Sequence, residues 1–172
     1  MKQGTTAFSL SERQTLLSEL AAFCLNKGVS LSTAESCTGG LIAGAMTDIA
    51  GSSAWFDRGF VTYSNEAKMD MLGVTQNQLD QHGAVSAAVV EAMAQGAVAR
   101  SLAQFSVSVS GVAGPGGGTE DKPVGTVWFG LSNGDITASE RRHFDGDRAD
   151  VRQQTIDYAL ASLFKFVQKN IN

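Results

Sequence analysis

Apolar residues recur at helical spacing close to the start of the chain. They form one stripe over 16–24, which follows Ser9 and Glu12, a pair with the spacing of a capping box, and precedes Gly28, a residue type that often ends helices. The pattern predicts a first helix from Ser9 to Gly28. Residues 1–8 carry no such pattern, and we expect them to be a flexible N-terminus.

Helix-like and strand-like patterns then alternate along the rest of the chain. Helical patterns lie over 41–49, 65–72, 76–81, 86–102 and 147–168, and strand-like runs lie over 29–36, 59–63, 105–112, 124–131 and 136–144. The last two runs are joined through Asn133 and Gly134, a dipeptide typical of hairpin turns. Because strands and helices interleave before this late hairpin, we predict an α/β fold, a three-layer α/β/α sandwich with a mixed sheet, and one domain over 9–172.

The composition is that of a chain that can build its own core. Of its 172 residues, 43% are hydrophobic and 17% are charged, a balance that excludes a disordered tail and a coiled coil. Thirteen Lys and Arg against seventeen Asp and Glu give a net charge of −4, and the basic residues form no run. We therefore expect no nucleic-acid partner, whereas a small anionic metabolite, which needs one or two local cations, is compatible with this charge.

The cysteines and histidines argue against disulfide and metal chemistry. Cys24 and Cys37 lack CxxC spacing, and Cys24 lies on the apolar stripe of the first helix, where a buried structural role is expected. His82 and His143 stand apart from other ligand-type residues, so we expect no metal site. Residues 1–13 lack the apolar segment of a signal peptide, and no run reaches the about 18 apolar residues of a membrane span. We expect no membrane partner and a location in a reducing cytoplasm.

The segment 33–40, TAESCTGG, joins a predicted strand to a predicted helix and carries two nucleophile types, Ser36 and Cys37. Ligands of open α/β sheets bind beyond the carboxyl ends of the strands, and a helix N-terminus there offers backbone N–H groups to an anion. The pattern indicates a nucleophilic site. The alternative is a glycine turn packed for space, in which Ser36 merely caps the helix.

A serine nucleophile needs a base, and Lys68 is a candidate because the segment 63–68, YSNEAK, also joins a strand end to a helix start. It reaches the same sheet edge if the first two strands are parallel. A lysine acts as a base only when neutral, so burial or nearby cations would have to lower its pKa far below the ordinary value. Tyr63 is a candidate helper that bonds the serine or polarises the substrate. The alternatives are a solvated surface lysine, and His82 or His143 as the base.

A glycine-dense loop over 110–118 follows another predicted strand. Backbone N–H groups in such a loop can bind a phosphate or an oxyanion. The loop does not match GxGxxG, because Thr119 stands where the third glycine would fall, and a flexible connector is the alternative interpretation. The candidate cations for an anion are Lys122, Arg148 and Arg152, each of which could equally be a solvated surface residue.

These stretches together closely resemble the CinA C-terminal domain family. The matching segments are TAESCTGG (33–40), GSSAWFDRGFVTYSNEAK (51–68), HGAVS (82–86), SVSGVAGPGGG (108–118) and KPVGTVWFGL (122–131). The resemblance implies a three-layer α/β fold and hydrolysis of the carboxamide of nicotinamide mononucleotide (NMN) to nicotinate mononucleotide and ammonia, a reaction of pyridine nucleotide recycling. It implies neither a metal nor another cofactor.

The resemblance also implies a Ser–Lys type site, with Ser36 as nucleophile, Lys68 as base and Tyr63 as helper. We expect the oxyanion to lie on the N–H groups of the 37–40 turn and the phosphate to lie near the 111–118 loop. The residues predicted to bind substrate are Glu35, Cys37, Thr38, Gly39, Gly40, Asn65, Ser110, Gly111, Gly114, Gly116, Gly117 and Arg148.

Two other functions compete with this prediction. A member of the family that has lost turnover would be a nucleotide-binding or interaction module, and a thiol amidase would use Cys37 instead of the serine. We also expect a homo-oligomer, a dimer, for which the Ala-rich segment 86–102 and the aromatic residues Trp55 and Phe56 are candidate faces. Ordinary core packing is the alternative for all three.

Overall fold

The computed structural model describes residues 7–171, in which six α-helices surround a five-stranded sheet. The strands are β1 (Leu31–Glu35), β2 (Phe56–Val61), β3 (Phe105–Gly111), β4 (Thr126–Ser132) and β5 (Thr137–His143). The helices are α1 (Leu10–Lys27), α2 (Leu41–Thr47), α3 (Asn65–Leu72), α4 (Gln76–His82), α5 (Ala87–Ala99) and α6 (Arg148–Asn170). Residues 1–6, most of the segment predicted to be flexible, lie outside the described residues.

The first helix begins and ends where its sequence pattern predicts. The Ser9 hydroxyl accepts a hydrogen bond from the Glu12 N–H, and the Glu12 carboxylate accepts one from the Ser9 N–H at 2.7 Å, which completes the capping box. Gly28 ends the helix in the left-handed region at φ 64°. Capping patterns involve residues a few positions apart, so they can be recognised in the sequence without knowledge of the fold. The prediction of the first helix is confirmed.

The sheet is mixed, with the strand order β2-β1-β3-β4-β5. β1 pairs in parallel with both β2 and β3, whereas β3 with β4 and β4 with β5 are antiparallel pairs. The β4–β5 hairpin turns at Asn133 and Gly134, where the Asn133 side-chain oxygen accepts N–H bonds from Asp135 and Ile136. The mixed sheet and its late hairpin are as predicted.

Helices cover both faces of the sheet, which confirms the three-layer α/β/α sandwich. α1 and α2 pack with α6 on one face, where Leu20, Ile42 and Leu163 are fully buried. α3 and α4 pack with α5 on the other face, where Val89 and Met93 are fully buried. The two faces differ because β1 is followed by α2 on one side and β2 by α3–α5 on the other. Within residues 7–171, every helix is too short or too polar to cross a membrane.

The structure corrects the interpretation of the aromatic pair beside β2. Trp55 is 1% exposed and belongs to the core, and its carbonyl accepts the Leu31 N–H at 2.8 Å. Trp55 therefore offers nothing to a dimer face, while Phe56 is half-buried. β2 begins at Phe56, three residues before the predicted strand, because pairing with β1 recruits polar residues that carry no strand pattern of their own. A 3-10 helix over Ser52–Ala54 was also absent from the predicted elements.

The Ala-rich helix α5 is a core element. It packs on β3 and β4, and a Cβ added at Gly130 of β4 would lie 2.3 Å from the carbonyl oxygen of Val90. Glycine is required there because helix and sheet backbones approach each other directly. Core packing, the alternative to a dimer face, is therefore the correct interpretation of this segment.

Candidate active site

Ser36 lies at the carboxyl end of β1, the strand that has parallel neighbours on both sides. Its N–H donates to the Val109 carbonyl of β3 at 3.1 Å, and the Thr62 N–H just beyond β2 donates to the Glu35 carbonyl at 2.9 Å. The connection after β1 crosses one face of the sheet and the connection after β2 crosses the other. The carboxyl end of β1 is therefore a topological switch point, the position at which open α/β sheets bind ligands.

Lys68 comes to Ser36 from α3, one turn after its N-cap Ser64. Lys68 Nζ lies 3.1 Å from Ser36 Oγ and 2.9 Å from the carbonyl oxygen of Thr62. Lys68 is 1% exposed, and no carboxylate lies within 4 Å of its amine in residues 7–171. Burial lowers the pKa of Lys68 from its ordinary value, because the desolvated ammonium is costly. The structure thus brings the predicted hydroxyl and amine together.

Glu35, the last residue of β1, holds the turn that carries Ser36. Its fully buried carboxylate accepts hydrogen bonds from the hydroxyls of Thr38 at 2.6 Å and Thr33 at 3.3 Å, and from the N–H groups of Ile42 at 2.8 Å and Ala43 at 2.9 Å. Both oxygens are therefore occupied from within the protein. Glu35 and the Thr38 hydroxyl thus hold the turn in place from within the protein, and the contact of Glu35 with substrate stays a prediction.

Cys37 is turned into the core on the opposite side of the sheet from Ser36. It is 7% exposed, and burial raises the pKa of its thiol to about 11. Arg152 of α6, predicted as a candidate cation for an anion, donates instead to the carbonyls of Cys37 at 3.1 Å and Thr38 at 3.3 Å. The thiol is thus protonated near neutral pH. Arg152 stabilises the turn through its hydrogen bonds to these two carbonyls.

The turn between β1 and α2 depends on its two glycines. Gly39 has φ 59° and Gly40 has φ 99°, and a Cβ at Gly40 would lie 3.2 Å from a methyl group of Val61. The Gly39 N–H donates to the Ser36 carbonyl at 3.0 Å. In residues 7–171 no acceptor is found for the Thr38 N–H, whereas the Cys37 N–H lies against its own thiol. The Thr38 N–H is therefore a donor of this turn without a partner in the described residues.

Tyr63 and Arg148 meet at the mouth of this site. Tyr63 is 62% exposed, and its hydroxyl accepts from Arg148 Nη2 at 3.1 Å, while Arg148 Nη1 donates to the Gly114 carbonyl at 2.9 Å. Arg148 also lines a cavity of about 510 Å³, together with Pro115 and Arg152. The guanidinium therefore connects the β2–α3 turn to the glycine-dense loop.

The remaining predicted residues spread from the centre of the site to its rim. Ser110 is 1% exposed on β3, adjacent to Ser36, and Gly111 ends that strand. Gly116, Gly117 and Asn65 are exposed at the rim. Lys122, the other candidate cation, donates to the His82 carbonyl at 2.7 Å and anchors the far end of the glycine-dense loop.

Thr62 is a residue of this site that was not predicted from the sequence. Thr62 is fully buried, its carbonyl accepts from Lys68, and its own hydroxyl has no partner in the described part of the chain. The signal lay in its position directly after β2, one residue before Tyr63. It could be recognised only once the register of β2 against β1 was known.

The arrangement can perform nucleophilic chemistry on a carbonyl carbon. It holds a hydroxyl within hydrogen-bonding reach of a buried amine whose pKa is lowered, in a turn whose Thr38 N–H has no acceptor within residues 7–171. Acyl transfer needs a nucleophile, a base and oxyanion donors, and groups of these three types are present here.

Comparisons with known proteins agree with this chemistry. A model of the CinA C-terminal domain matches residues 13–167. The nicotinamide-nucleotide amidohydrolase PncC of Escherichia coli strain K12 is 52% identical over 161 residues, 93% of this chain and 98% of the relative. The protein of the same name from Pseudomonas putida is 54% identical over 151 residues, 88% of this chain and 94% of the relative. The crystal structure of the competence/damage inducible protein CihA from Agrobacterium tumefaciens superposes with a TM-score of 0.87 at 44% identity, covering 96% of this chain and 98% of that one.

Proposed function

The chain belongs to the CinA C-terminal domain family, and we propose that it is an amidohydrolase that cleaves the carboxamide of NMN to nicotinate mononucleotide and ammonia. The substrate comes from the names of its relatives, and the chemistry comes from its own residues. The single observation that carries the proposal is the 3.1 Å contact between Lys68 Nζ and Ser36 Oγ, in a buried setting where residues 7–171 place no carboxylate within 4 Å of the amine.

In the proposed reaction, Ser36 Oγ attacks the carboxamide carbon while its proton passes to the neutral amine of Lys68. Lys68 keeps its N–H bond to the Thr62 carbonyl and directs its lone pair at the serine. The C–N bond then breaks, and the nitrogen leaves as ammonia with the proton from Lys68. Water, deprotonated by the same amine, hydrolyses the resulting ester and restores Ser36.

Charge that develops on the carbonyl oxygen is proposed to fall on the N–H groups of the 37–40 turn, among which the Thr38 N–H has no acceptor within residues 7–171. The pyridinium ring withdraws electrons from the carbonyl, so attack needs less assistance than on an ordinary amide. For the phosphate we propose the cavity of about 510 Å³ beside the glycine-dense loop, with Arg148 as the cation. Tyr63 is proposed to orient Arg148 and the bound nucleotide at the mouth.

Ammonia release from NMN by the purified chain tests this proposal. We expect Ser36→Ala and Lys68→Ala each to lower kcat by about 10³-fold or more, as removal of a nucleophile or its base does elsewhere. The matched control is Cys37→Ala, which removes the neighbouring nucleophile type and should retain turnover, because the buried thiol is protonated. Turnover that survives in Ser36→Ala but disappears in Cys37→Ala would support a thiol amidase instead.

The competing function is a catalytically silent nucleotide-binding or interaction module. Calorimetry with NMN on the same sample distinguishes this module from the enzyme. Binding of NMN without ammonia release would favour the module, whereas binding with release supports the enzyme. The buried, pKa-lowered lysine favours the enzyme, because a module would have no use for an amine that is costly to bury.

Assembly, domain extent and location are further proposals. Elements from Leu10 to Asn170 contribute to both helix layers, which supports a single domain over 9–172. Exposed Leu41 and Val61 beside the site support a homodimer, which light scattering measures. The free cysteines support a reducing cytoplasm.

A further inference from the structure

Helices α3 and α5 approach each other more closely than a side chain between them would allow. Gly96 of α5 faces the last residue of α3, and a Cβ added at Gly96 would lie 2.1 Å from the carbonyl oxygen of Leu72 and 2.9 Å from its carbonyl carbon. Carbon and oxygen atoms in contact need about 3.3 Å. Glycine is therefore the only residue type that fits at this position while both helices stay in place.

Two further contacts with α5 fix the same end of α3. Arg100, which follows the last turn of α5, donates from Nη1 to the Leu72 carbonyl at 3.0 Å. The Leu72 side chain is 2% exposed and belongs to the same buried cluster as Met93 and Ala97 of α5. The position of α5 thus determines where the end of α3 lies.

α5 is itself bound to the sheet by side-chain hydrogen bonds. The hydroxyls of Ser106 and Ser108 on β3 donate to carbonyls of α5, to Ala94 at 2.7 Å and to Val90 at 2.6 Å. α3, by contrast, is a helix of eight residues that follows the edge strand β2. An added side chain between the two helices would therefore displace α3 rather than α5.

α3 carries Lys68, one helical turn before Leu72. Lys68 Nζ lies 3.1 Å from Ser36 Oγ and 2.9 Å from the Thr62 carbonyl oxygen, so the position of α3 sets both distances. The start of α3 is fixed by the cap of Ser64. If the Leu72 end moved out by about 1 Å, the helix would pivot at this cap and Lys68, near its middle, would move by about 0.5 Å. A displacement of about 0.5 Å is the limit within which a catalytic group stays productive.

We propose that Gly96 is a positioning residue for the base, because the absence of a side chain lets α3 come close enough to α5 to hold the Lys68 amine against Ser36. This inference rests on the proposed function, in which Lys68 takes the proton of Ser36. Gly96 acts through the backbone of Leu72 and not through a contact with the reacting atoms.

The test is Gly96→Ala, with Gly44→Ala as the matched control. Gly44 also lies inside a helix, α2, but an added Cβ there would meet no atom within 4 Å. For Gly96→Ala we expect kcat on NMN to fall about 10–100-fold and KM to change less than about 3-fold, because the base moves while the 33–40 and 110–118 segments stay in place. Gly44→Ala should leave both values unchanged.

The pH dependence distinguishes a positioning role from a mere loss of stability. A variant that is only less stable keeps the wild-type pH profile in its folded fraction. When α3 moves outward, water reaches the Lys68 amine and its pKa rises toward the ordinary value, so kcat/KM should level off at a higher pH than in the wild type. The rise of the unfolding free energy with pH should begin at the same higher pH, and this readout needs no substrate.

Arg100→Met takes the place of Gly96→Ala if that variant does not fold. It removes the hydrogen bond to Leu72 from an exposed side chain, and we expect kcat to fall about 3–10-fold with the same shift of the pH profile.

Wild-type kcat in folded Gly96→Ala would overturn the proposal, as would wild-type kcat in Arg100→Met where Gly96→Ala is unfolded. A lower kcat with the wild-type pH profile would also overturn it, because the Lys68 amine would then lie where it lies in the wild type. Failure of the proposed function is separate, since the wild-type chain would then release no ammonia from NMN while the stability profiles still test the placement of Lys68.

Discussion

Replacement of Lys68 by Met probes the amine of the site through stability as well as activity. In the folded state, burial disfavours the ammonium, so the pKa of Lys68 lies below its ordinary value, which the unfolded chain retains. Between these two pKa values the unfolded state binds one proton more than the folded state. The free energy of unfolding of the wild type therefore rises with pH in this window.

The magnitude follows from the single proton. Linkage gives a slope of about 1.4 kcal/mol per pH unit inside the window and no slope from this group below the folded-state pKa or above the ordinary lysine pKa. Lys68→Met keeps an unbranched side chain and removes the titration. As pH rises through the window, the unfolding free energy of the wild type should therefore increase relative to that of the variant.

The assay is urea unfolding of both proteins at intervals from about pH 6 to about pH 10, with Lys165→Met of α6 as the control that removes an exposed lysine. The same group governs catalysis if it is the base. Then kcat/KM of the wild type should rise about tenfold per pH unit up to the folded-state pKa of Lys68 and level off above it. The pH at which activity levels off should be the pH at which the stability slope begins.

A constant difference between wild type and Lys68→Met over this range would refute the argument, since it would mean that Lys68 titrates alike in both states. The stability slope and the activity profile could also bend at different pH values. That result would support a lowered pKa for the buried amine but would show that Lys68 is not the base.

Two further predictions concern stability alone. Asp157→Asn should lower the unfolding free energy by about 3–5 kcal/mol, because Asp157 is 2% exposed and pairs with Arg13 at 2.6 Å. Asp57→Asn should lower it by less than about 1 kcal/mol, because the pair of Asp57 with Arg58 is more exposed. Chemical denaturation measures both, and equal costs would contradict the role of burial. Gly130→Ala should cost about 1–3 kcal/mol, because its Cβ would lie 2.3 Å from the Val90 carbonyl oxygen and α5 would have to shift. An unchanged melting temperature would show that α5 moves freely.

Much of the fold was predictable because its signals act between near neighbours. α3 runs from Asn65 to Leu72 as its pattern predicted, and the capping residues Ser9, Ser86 and Asp147 start their helices. The beginning of β2 was not predictable, since Asp57 and Arg58 join a strand through their pairing with β1 rather than through their own propensity.

The candidate site was partly predictable. Ser36 and Lys68 follow or lie near strand ends, and the parallel pairing of β1 with β2 that was needed to bring them to one edge is present. The hydrogen bonds of Glu35 to the N–H groups of Ile42 and Ala43 were not predictable, because they depend on how α2 packs against the end of β1.

By itself, the sequence determined the helices, the strands, the late hairpin and the segments that carry reactive groups, because periodicity, caps and turns depend on residues a few positions apart. Only the tertiary structure decided that an amine 32 residues from a serine would be buried beside it and that Trp55 would belong to the core. These outcomes depend on strand register and on how two helix layers cover a sheet, and both are set by contacts between residues far apart in the chain.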